Sequence, residues 1–311
     1  TPSGKLGRSS LIFCFTRCMV DDVKKAVDCG VKGIVIEITA SAHLVEHAYK
    51  WPLEKAIDLS IKATAFAKTQ GLYTVFFTID GTRTDMDWLL KLVNRVAAEG
   101  HMDAFTLVDT FGVLSPQAAT YFTRKIKENV KKPLEIHFHS DFGLGVANTL
   151  MAVVSRAGGV HPTIGGGWGA VITQTGAGGV AGLLTFYGID VGINYGKLNE
   201  VSKLVSELSG IESPENRPFI GDKAYAVESG IVTSWYKNAF EKDPTIVFPV
   251  HPKFIGHDMP EILMGKKSGV DNIALWSAKL GINLSDEQGM DVLMRVKLKA
   301  NELKRTLKES E

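Results

Sequence analysis

Residues 134–148 read LEIHFHSDFGLGVAN, and the pattern of this segment is the strongest indication of the fold in the sequence. Its first half has the apolar content of a strand. Because side chains alternate along a strand, His137 and His139 lie on one side of it and can bind one divalent ion together. Asp141 follows at the same spacing, where it could be a third ligand or could orient a ligating imidazole. The alternative is structural, with two partly buried imidazoles that are hydrogen-bonded without any metal.

Outward from this stretch, short apolar runs alternate with longer amphipathic ones. The predicted strands lie at residues 11–15, 33–38, 73–78, 104–108, 134–139 and 160–164, and the predicted helices at 20–29, 52–70, 85–99, 115–130 and 145–156. This alternation indicates a parallel sheet with crossover helices, an α/β fold. Polar residues follow most of the strands, and a parallel barrel has its active site at those strand ends.

Composition excludes several classes of function. The 311 residues, 45% of them hydrophobic, suffice for one large domain and an appendage. Thirty-five basic against 34 acidic residues give a net charge of +1, which favours neither nucleic acid nor a membrane surface as partner. The sequence has no run of about 18 apolar residues. Its three cysteines form no CxxC pair, so we expect free thiols and a cytoplasmic protein.

Four motifs carry a resemblance to a known family: HFHSDFGLGVANTL at 137–150, IDGTRTD at 79–85, LVDTFGV at 107–113 and GKKSG at 265–269. They resemble the family that includes the isopropylmalate, homocitrate and citramalate synthases and hydroxymethylglutaryl-CoA lyase. Members of that family are TIM (β/α)8 barrels that make or break carbon–carbon bonds beside a divalent metal. The similarity covers nearly the whole chain and implies the same barrel here.

The barrel is expected to be incomplete within this chain. A TIM barrel has eight strands, whereas six are predicted, and nothing resembles the family's first-strand motif with its metal-binding aspartate and catalytic arginine. We therefore expect the chain to hold units 3–8 and to lack the first two βα units. Either the chain is a fragment, or its N-terminal part lies outside the sequence, or a partner completes the barrel. The first two are favoured, because an open sheet exposes unpaired edges.

A change of rhythm after residue 188 indicates a second region. Residues 190–210 are predicted to form a helix ending at Gly210, and two prolines in 211–218 are typical of a linker. We expect a barrel domain over residues 1–210, followed by a linker and a small, mostly helical C-terminal subdomain over 211–311.

The resemblance implies an acyltransferase that carries out a metal-dependent Claisen-type condensation. An acyl-CoA, expected to be acetyl-CoA, would add to a 2-oxo acid and give a 2-alkylmalate-type acid, with a divalent Zn, Mn, Mg, Fe or Co ion as Lewis acid. It also implies a homodimer. GKKSG favours the synthases over the lyase. Two alternatives stay open: a retro-aldol or retro-Claisen lyase on the same metal site, and a non-catalytic, barrel-derived binding subunit. The choice of 2-oxo acid is not fixed by the sequence.

Site residues follow from the same resemblance. His137 and His139 would be metal ligands, Thr110 would hydrogen-bond the substrate carboxylate, and His43 matches a family histidine near the pocket mouth. Arg83 could hold a carboxylate through two hydrogen bonds, or instead pair with a neighbouring aspartate. Arg83, His43 and Thr110 are thus the candidate catalytic residues.

Two further residues at strand ends complete the candidate site. Two departures from the family's motifs weaken its assignment. Arg17 and Asp109 are candidate substrate-binding residues, although a surface ion pair is the favoured alternative for Arg17. The glycine-rich stretch at 165–182 lacks the glutamate, arginine and asparagine of the family and could be a lid, a CoA phosphate cradle or disordered. Val232 stands where synthases usually have a proton-transferring histidine.

Overall fold

The computed structural model describes residues 11–164, 176, 179, 182, 184–185 and 187–311. Contacts divide the chain into two compact units, Thr1–Asp190 and Val191–Glu311. The expected boundary at residue 210 lies 20 residues later than this division (210 minus 190). The helix preceding Gly210 therefore belongs to the second unit.

The first unit alternates strands and helices as the sequence predicts. Its elements are β1 (Phe13–Arg17), α1 (Val20–Asp28), β2 (Gly33–Thr39), α2 (Ala42–His47), α3 (Leu53–Thr69), β3 (Tyr73–Ile79), α4 (Met86–Glu99), β4 (Ala104–Asp109), α5 (Pro116–Asn129), β5 (Leu134–Phe138), α6 (Gly145–Val154) and β6 (Gly159–Val160). The six described strands form one parallel sheet in sequential order, β1 to β6. The predicted α/β class with a parallel sheet is confirmed.

The two faces of this sheet carry different side chains. One face packs under the helices and holds the main core, which includes the fully buried Ile34, Ile36, Phe76 and Phe105. Burying such a side chain stabilises the fold by about 1.5–3 kcal/mol. The opposite face, called the inner face here, carries Glu37, Phe77, Thr106 and Glu135 in one row of the strand register. His137 lies on this inner face, one row nearer the carboxyl ends of the strands.

The sheet is open within the described residues, since β1 and β6 are its two edges and are not paired with each other. Phe15, on the inner face of β1, keeps 57% of its surface exposed. This agrees with a barrel that lacks two strands in the described part of the chain.

The second unit is mostly helical. It contains α7 (Leu198–Ser209), β7 (Ala226–Val227), α8 (Gly230–Ala239), β8 (Glu261–Ile262), α9 (Val270–Leu280) and α10 (Asp286–Leu303), and β7 pairs with β8 in parallel. The predicted helix over 190–210 is wrong at its start, because Gly192 has a positive φ of 66° and only residues from Tyr195 onward turn helically. Among the described helices none has the length and apolarity needed to cross a bilayer.

Candidate metal centre

The two histidines of the opening stretch converge at the carboxyl end of β5. The Nε2 atoms of His137 and His139 lie 3.2 Å apart. The backbone N–H of His139 donates to the carbonyl oxygen of Asp109, which ties this end of β5 to the end of β4. Burial, and after it the nearby rings of His161 and His139, lowers the pKa of His137 from 6.5 to about 3. His137 is therefore neutral at pH 7, the form in which imidazole binds metals.

This geometry suits two ligands of one ion. A nitrogen ligand lies about 2.0–2.1 Å from zinc, so two neighbouring ligand nitrogens are about 3–3.4 Å apart. The observed 3.2 Å falls in that range. The Nδ1 atom of His139 is buried without a hydrogen-bond partner, so the described residues supply no group that orients this imidazole through its second nitrogen. A separation of 3.2 Å is also a hydrogen-bond distance between two imidazoles, so the geometry is compatible with both the metal role and the structural alternative.

The described residues supply only part of such a site. They contain no group of three or more His, Cys, Asp or Glu side chains placed to hold an ion together. Asp141, expected from spacing to be able to reach the pair, packs instead against Gly112, where an added Cβ would lie 2.8 Å from its Oδ2. That Oδ2 is buried and has no hydrogen-bond partner. The third protein ligand does not come from Asp141 in this arrangement.

A residue that the sequence reasoning missed, His161, lies beside the pair. Its Nε2 is 2.8 Å from Oε2 of Glu135, and its ring contacts the ring of His137 with centroids 5.7 Å apart. The ring of Phe77 packs against both imidazoles. Strand alternation predicts that Glu135 and His137 lie on one face of β5, and that Gly159 and His161 lie on one face of β6 and its extension. Only the pairing of β5 with β6 shows that these two faces are the same inner face.

Arg83 sits in a rigid setting between β3 and α4. Its Nε and Nη2 donate to the two carboxylate oxygens of Asp80 at 2.7 and 2.9 Å, and its guanidinium stacks 3.7 Å above the ring of Phe111. This bond to Asp80 raises the pKa of Arg83 further above its usual value. Thr110 joins the cluster, since its Oγ1 accepts the backbone N–H of Asp80 at 2.7 Å. The sequence alternative of an Arg83 ion pair with a neighbouring aspartate is thus realised with Asp80.

Asp109 supports the loop that follows it. Its fully buried carboxylate accepts hydrogen bonds from the Thr82 hydroxyl and from the backbone N–H groups of Val113 and Leu114. Desolvation nevertheless raises the pKa of Asp109. Direct contact with a substrate, as expected from the sequence, would require these bonds to break.

Arg17 and His43 lie in more exposed positions. Arg17 makes two hydrogen bonds to Asp22 at 2.7 and 3.0 Å, the surface ion pair that the sequence left open, and 64% of its side chain is exposed. His43 is in the first turn of α2 and its ring packs on that of His47. Within the described residues, neither side chain makes a hydrogen bond to His137 or His139.

Two parts of the sequence depart from the family's motifs, namely Val232 and the glycine-rich stretch at 165–182. Val232 lies in the first turn of α8, in the second unit. The expected lid, phosphate cradle or disordered stretch at 165–182 falls largely outside the described residues. All three cysteines, Cys14, Cys18 and Cys29, are free thiols as expected.

Comparisons with known proteins agree with this fold. A family model described as HMGL-like matches residues 4–205. The homocitrate synthase AksA of Methanopyrus kandleri is 34% identical over 94% of this chain and 72% of its own length. The (R)-citramalate synthase CimA of Methanocaldococcus jannaschii is 33% identical over 94% of this chain, which spans only 58% of that relative. The 2-isopropylmalate synthase of the same organism is 31% identical, over 93% of this chain and 55% of its own length.

Solved structures show the same architecture at lower identity. Hydroxymethylglutaryl-CoA lyase from Pseudomonas aeruginosa superposes with a TM-score of 0.59 at 15% identity, covering 66% of this chain and 72% of its own. The lyase from Brucella melitensis gives a TM-score of 0.58 at 14% identity, covering 66% and 77%. At such identities the likeness concerns the fold alone. The chain belongs to the HMGL-like family, and the described residues of its first unit form six parallel strands of the TIM-barrel fold of that family.

Proposed function

We propose that the protein condenses an acyl-CoA, in the first place acetyl-CoA, with a 2-oxo acid in a metal-dependent Claisen-type reaction. The observation that carries this proposal is the convergence of the His137 and His139 Nε2 atoms to 3.2 Å at a barrel strand end. The named activities of the curated relatives support it, since they are synthases of homocitrate, citramalate and isopropylmalate. Those names differ in the 2-oxo acid, so the side chain of the substrate stays open.

His137 and His139 would hold a divalent ion through their neutral Nε2 atoms. When bound, such an ion acts as a Lewis acid on the carbonyl of a 2-oxo acid. Two imidazoles and one further ligand leave coordination positions open for a substrate. We place that further ligand outside the described residues, because these contain no group of three suitable side chains.

Arg83 and Thr110 would orient the substrate carboxylate. Arg83 is held by Asp80 and Phe111 before any ligand arrives, so little further ordering is needed when its remaining N–H groups bind an anion. The Thr110 oxygen accepts from the Asp80 backbone, which directs the hydroxyl proton elsewhere and leaves it free to be donated.

The remaining candidates take weaker roles. His43, at the start of α2, stays a candidate catalytic residue. Arg17 would have to leave Asp22 to bind a substrate. We give Asp109 a supporting role, since its carboxylate holds Thr82 and the β4–α5 loop. A cytoplasmic homodimer completes the proposal.

The direct test follows CoA release. The protein is incubated with acetyl-CoA and a panel of 2-oxo acids (pyruvate, 2-oxoisovalerate, 2-oxoglutarate and oxaloacetate), with free thiol measured against blanks that lack the oxo acid. Thiol release that depends on one oxo acid and is abolished by chelation supports the proposal. No release with any of them contradicts it. Acetyl-CoA formed from a hydroxyacyl-CoA, or pyruvate formed from a free hydroxy acid, with no condensation, would identify a lyase instead.

A second candidate is a non-catalytic binding subunit. The absence of a three-ligand group from the described part of the chain favours it, as does Val232 in place of the expected histidine. Metal analysis separates the two. A protein that retains no divalent ion at neutral pH would be assigned to this second candidate.

A further inference from the structure

The ring of His137 is enclosed by side chains of the inner face. Phe77 contacts it edge to face with centroids 5.0 Å apart, and His161 contacts it at 5.7 Å with the ring planes at 81°. Phe77 and His161 themselves stack nearly parallel, at 10°. Rotation of His137 away from His139 would therefore have to displace one of these two rings.

His161 is in turn fixed by Glu135. Its Nε2 lies 2.8 Å from the Glu135 carboxylate, and its backbone N–H donates to the carbonyl of Ile136 at 3.0 Å. Glu135 reaches it by leaning over Gly159, where an added Cβ would lie only 2.9 Å from the Cγ of Glu135. The glycine is thus what lets a carboxylate on β5 reach a histidine beyond β6.

We propose that Glu135 and His161 are positioning residues that hold the His137 ring in its metal-binding orientation. Glu135 fixes His161, and His161 together with Phe77 restricts the rotation of His137, so that its Nε2 stays 3.2 Å from that of His139. This inference rests on the metal role of His137 under the proposed function. Groups that orient metal-binding histidines typically change metal affinity by about 10- to 100-fold when removed.

The variants separate the hydrogen bond from general packing. Glu135→Ala removes the acceptor, whereas Glu135→Gln keeps an acceptor oxygen and should restore the positioning. Glu37→Ala is the matched control, since Glu37 is an inner-face carboxylate on β2 for which no hydrogen bond to a histidine is found among the described residues. Gly159→Ala displaces Glu135 without deleting it and should resemble Glu135→Ala.

Two measurements test the inference. The first uses the protein without metal: long-range ¹H–¹⁵N spectra of the imidazoles should show His137 as one tautomer in wild type, Glu135→Gln and Glu37→Ala, and as an averaged mixture in Glu135→Ala, Gly159→Ala and His161→Ala. The second is a Co²⁺ titration followed by visible absorption. The dissociation constant should rise about 10- to 100-fold in Glu135→Ala and less than about threefold in Glu135→Gln and Glu37→Ala.

The outcomes distinguish this inference from the proposed function. If wild type binds Co²⁺ through His137 but Glu135→Ala changes neither tautomer nor affinity, the positioning role is wrong and the metal site stands. An equal loss in Glu37→Ala would also overturn it, because the effect would then be general to the inner face. If wild type binds no Co²⁺, the metal role fails, and the spectra of the metal-free protein still decide whether Glu135 positions His137.

Discussion

Arg83 donates two hydrogen bonds to the carboxylate of Asp80, and the two side chains differ sharply in exposure: 40% for Arg83 and 0% for Asp80. Asp80 adopts a positive φ of 58°, which brings its side chain and backbone N–H into the same small cluster. The cation therefore reaches solvent while its anchor is fully buried. Under the proposed function, this arrangement would hold the guanidinium in place before an anionic substrate binds.

Two replacements of Arg83 should separate the effect of its positive charge on substrate binding from the effect of its hydrogen-bonding geometry. Arg83→Lys keeps the charge but loses the fork and the stacking on Phe111, so we expect the KM for the 2-oxo acid to rise about tenfold or more. Arg83→Gln leaves the Asp80 carboxylate buried without its cation. It should lower the free energy of unfolding by about 1–3 kcal/mol, less than for a fully buried pair because Arg83 is partly exposed.

Steady-state kinetics and urea unfolding measure these effects. Arg95→Lys is the control, because Arg95 pairs with Glu99 on the exposed face of α4. A KM in Arg83→Lys equal to that of wild type would remove Arg83 from substrate binding.

Cys18 should be unreactive in the folded protein. Burial raises its pKa from 9.0 to about 12, whereas Cys29 is exposed. At pH 8 a thiol reagent should modify Cys29 within the native state and Cys18 only after unfolding. Mass spectrometry of peptides after timed alkylation checks this, and equal rates at the two sites would contradict the buried position.

The raised pKa of the Cys18 thiol predicts that the protein loses stability at high pH. Its pKa is higher in the folded than in the unfolded chain, so its contribution is complete below pH 9 and is lost as pH rises from 9 towards 12. The slope is at most about 1.4 kcal/mol per pH unit. The unfolding free energy of wild type should therefore fall more steeply between pH 8 and 10.5 than that of Cys18→Ala. Parallel curves would refute this.

The GKKSG motif has a structural basis in the second unit. A Cβ on Gly269 would lie 2.9 Å from the Cα of Gly230, at the point where α8 and α9 begin. Gly269→Ala should cost about 1–3 kcal/mol through overpacking. Gly289→Ala, inside α10 where an added Cβ meets nothing within 4 Å, should instead stabilise by about 0.5–1 kcal/mol. Chemical denaturation measures the unfolding free energy of both variants. Equal changes in that free energy would exclude the close approach of Gly269 to Gly230 as the cause.

Strand positions were predictable because period and composition are local properties. Four predicted strands, those of β2 to β5, agree within one residue. Helix α2 was missed, since its six residues include two histidines and give no sustained apolar repeat. The start of the helix over 190–210 was wrong because one left-handed glycine, Gly192, overrode an otherwise helical pattern.

Local spacing places His137 and His139 on one side of β5, as the structure shows. Their metal role came from the family resemblance and stays a prediction. The bond of Glu135 to His161 spans 26 residues and depends on the register between β5 and β6. The hydrogen bond that Asp109 accepts from the Thr82 hydroxyl likewise joins the ends of two different strands. Such pairings are set by tertiary contacts that no local pattern encodes.

Zinc binding tests most directly whether His137 and His139 together hold one divalent ion. Equilibrium dialysis against Zn²⁺ at pH 7.5, followed by elemental analysis, tests it on wild type, His137→Ala and His139→Ala, with His47→Ala as a surface histidine control. We expect about one ion per chain in wild type and His47→Ala, and loss of that ion in both site variants. Zinc binding that survives in His137→Ala and His139→Ala, or no zinc binding in wild type, would show that the two histidines do not form a metal site.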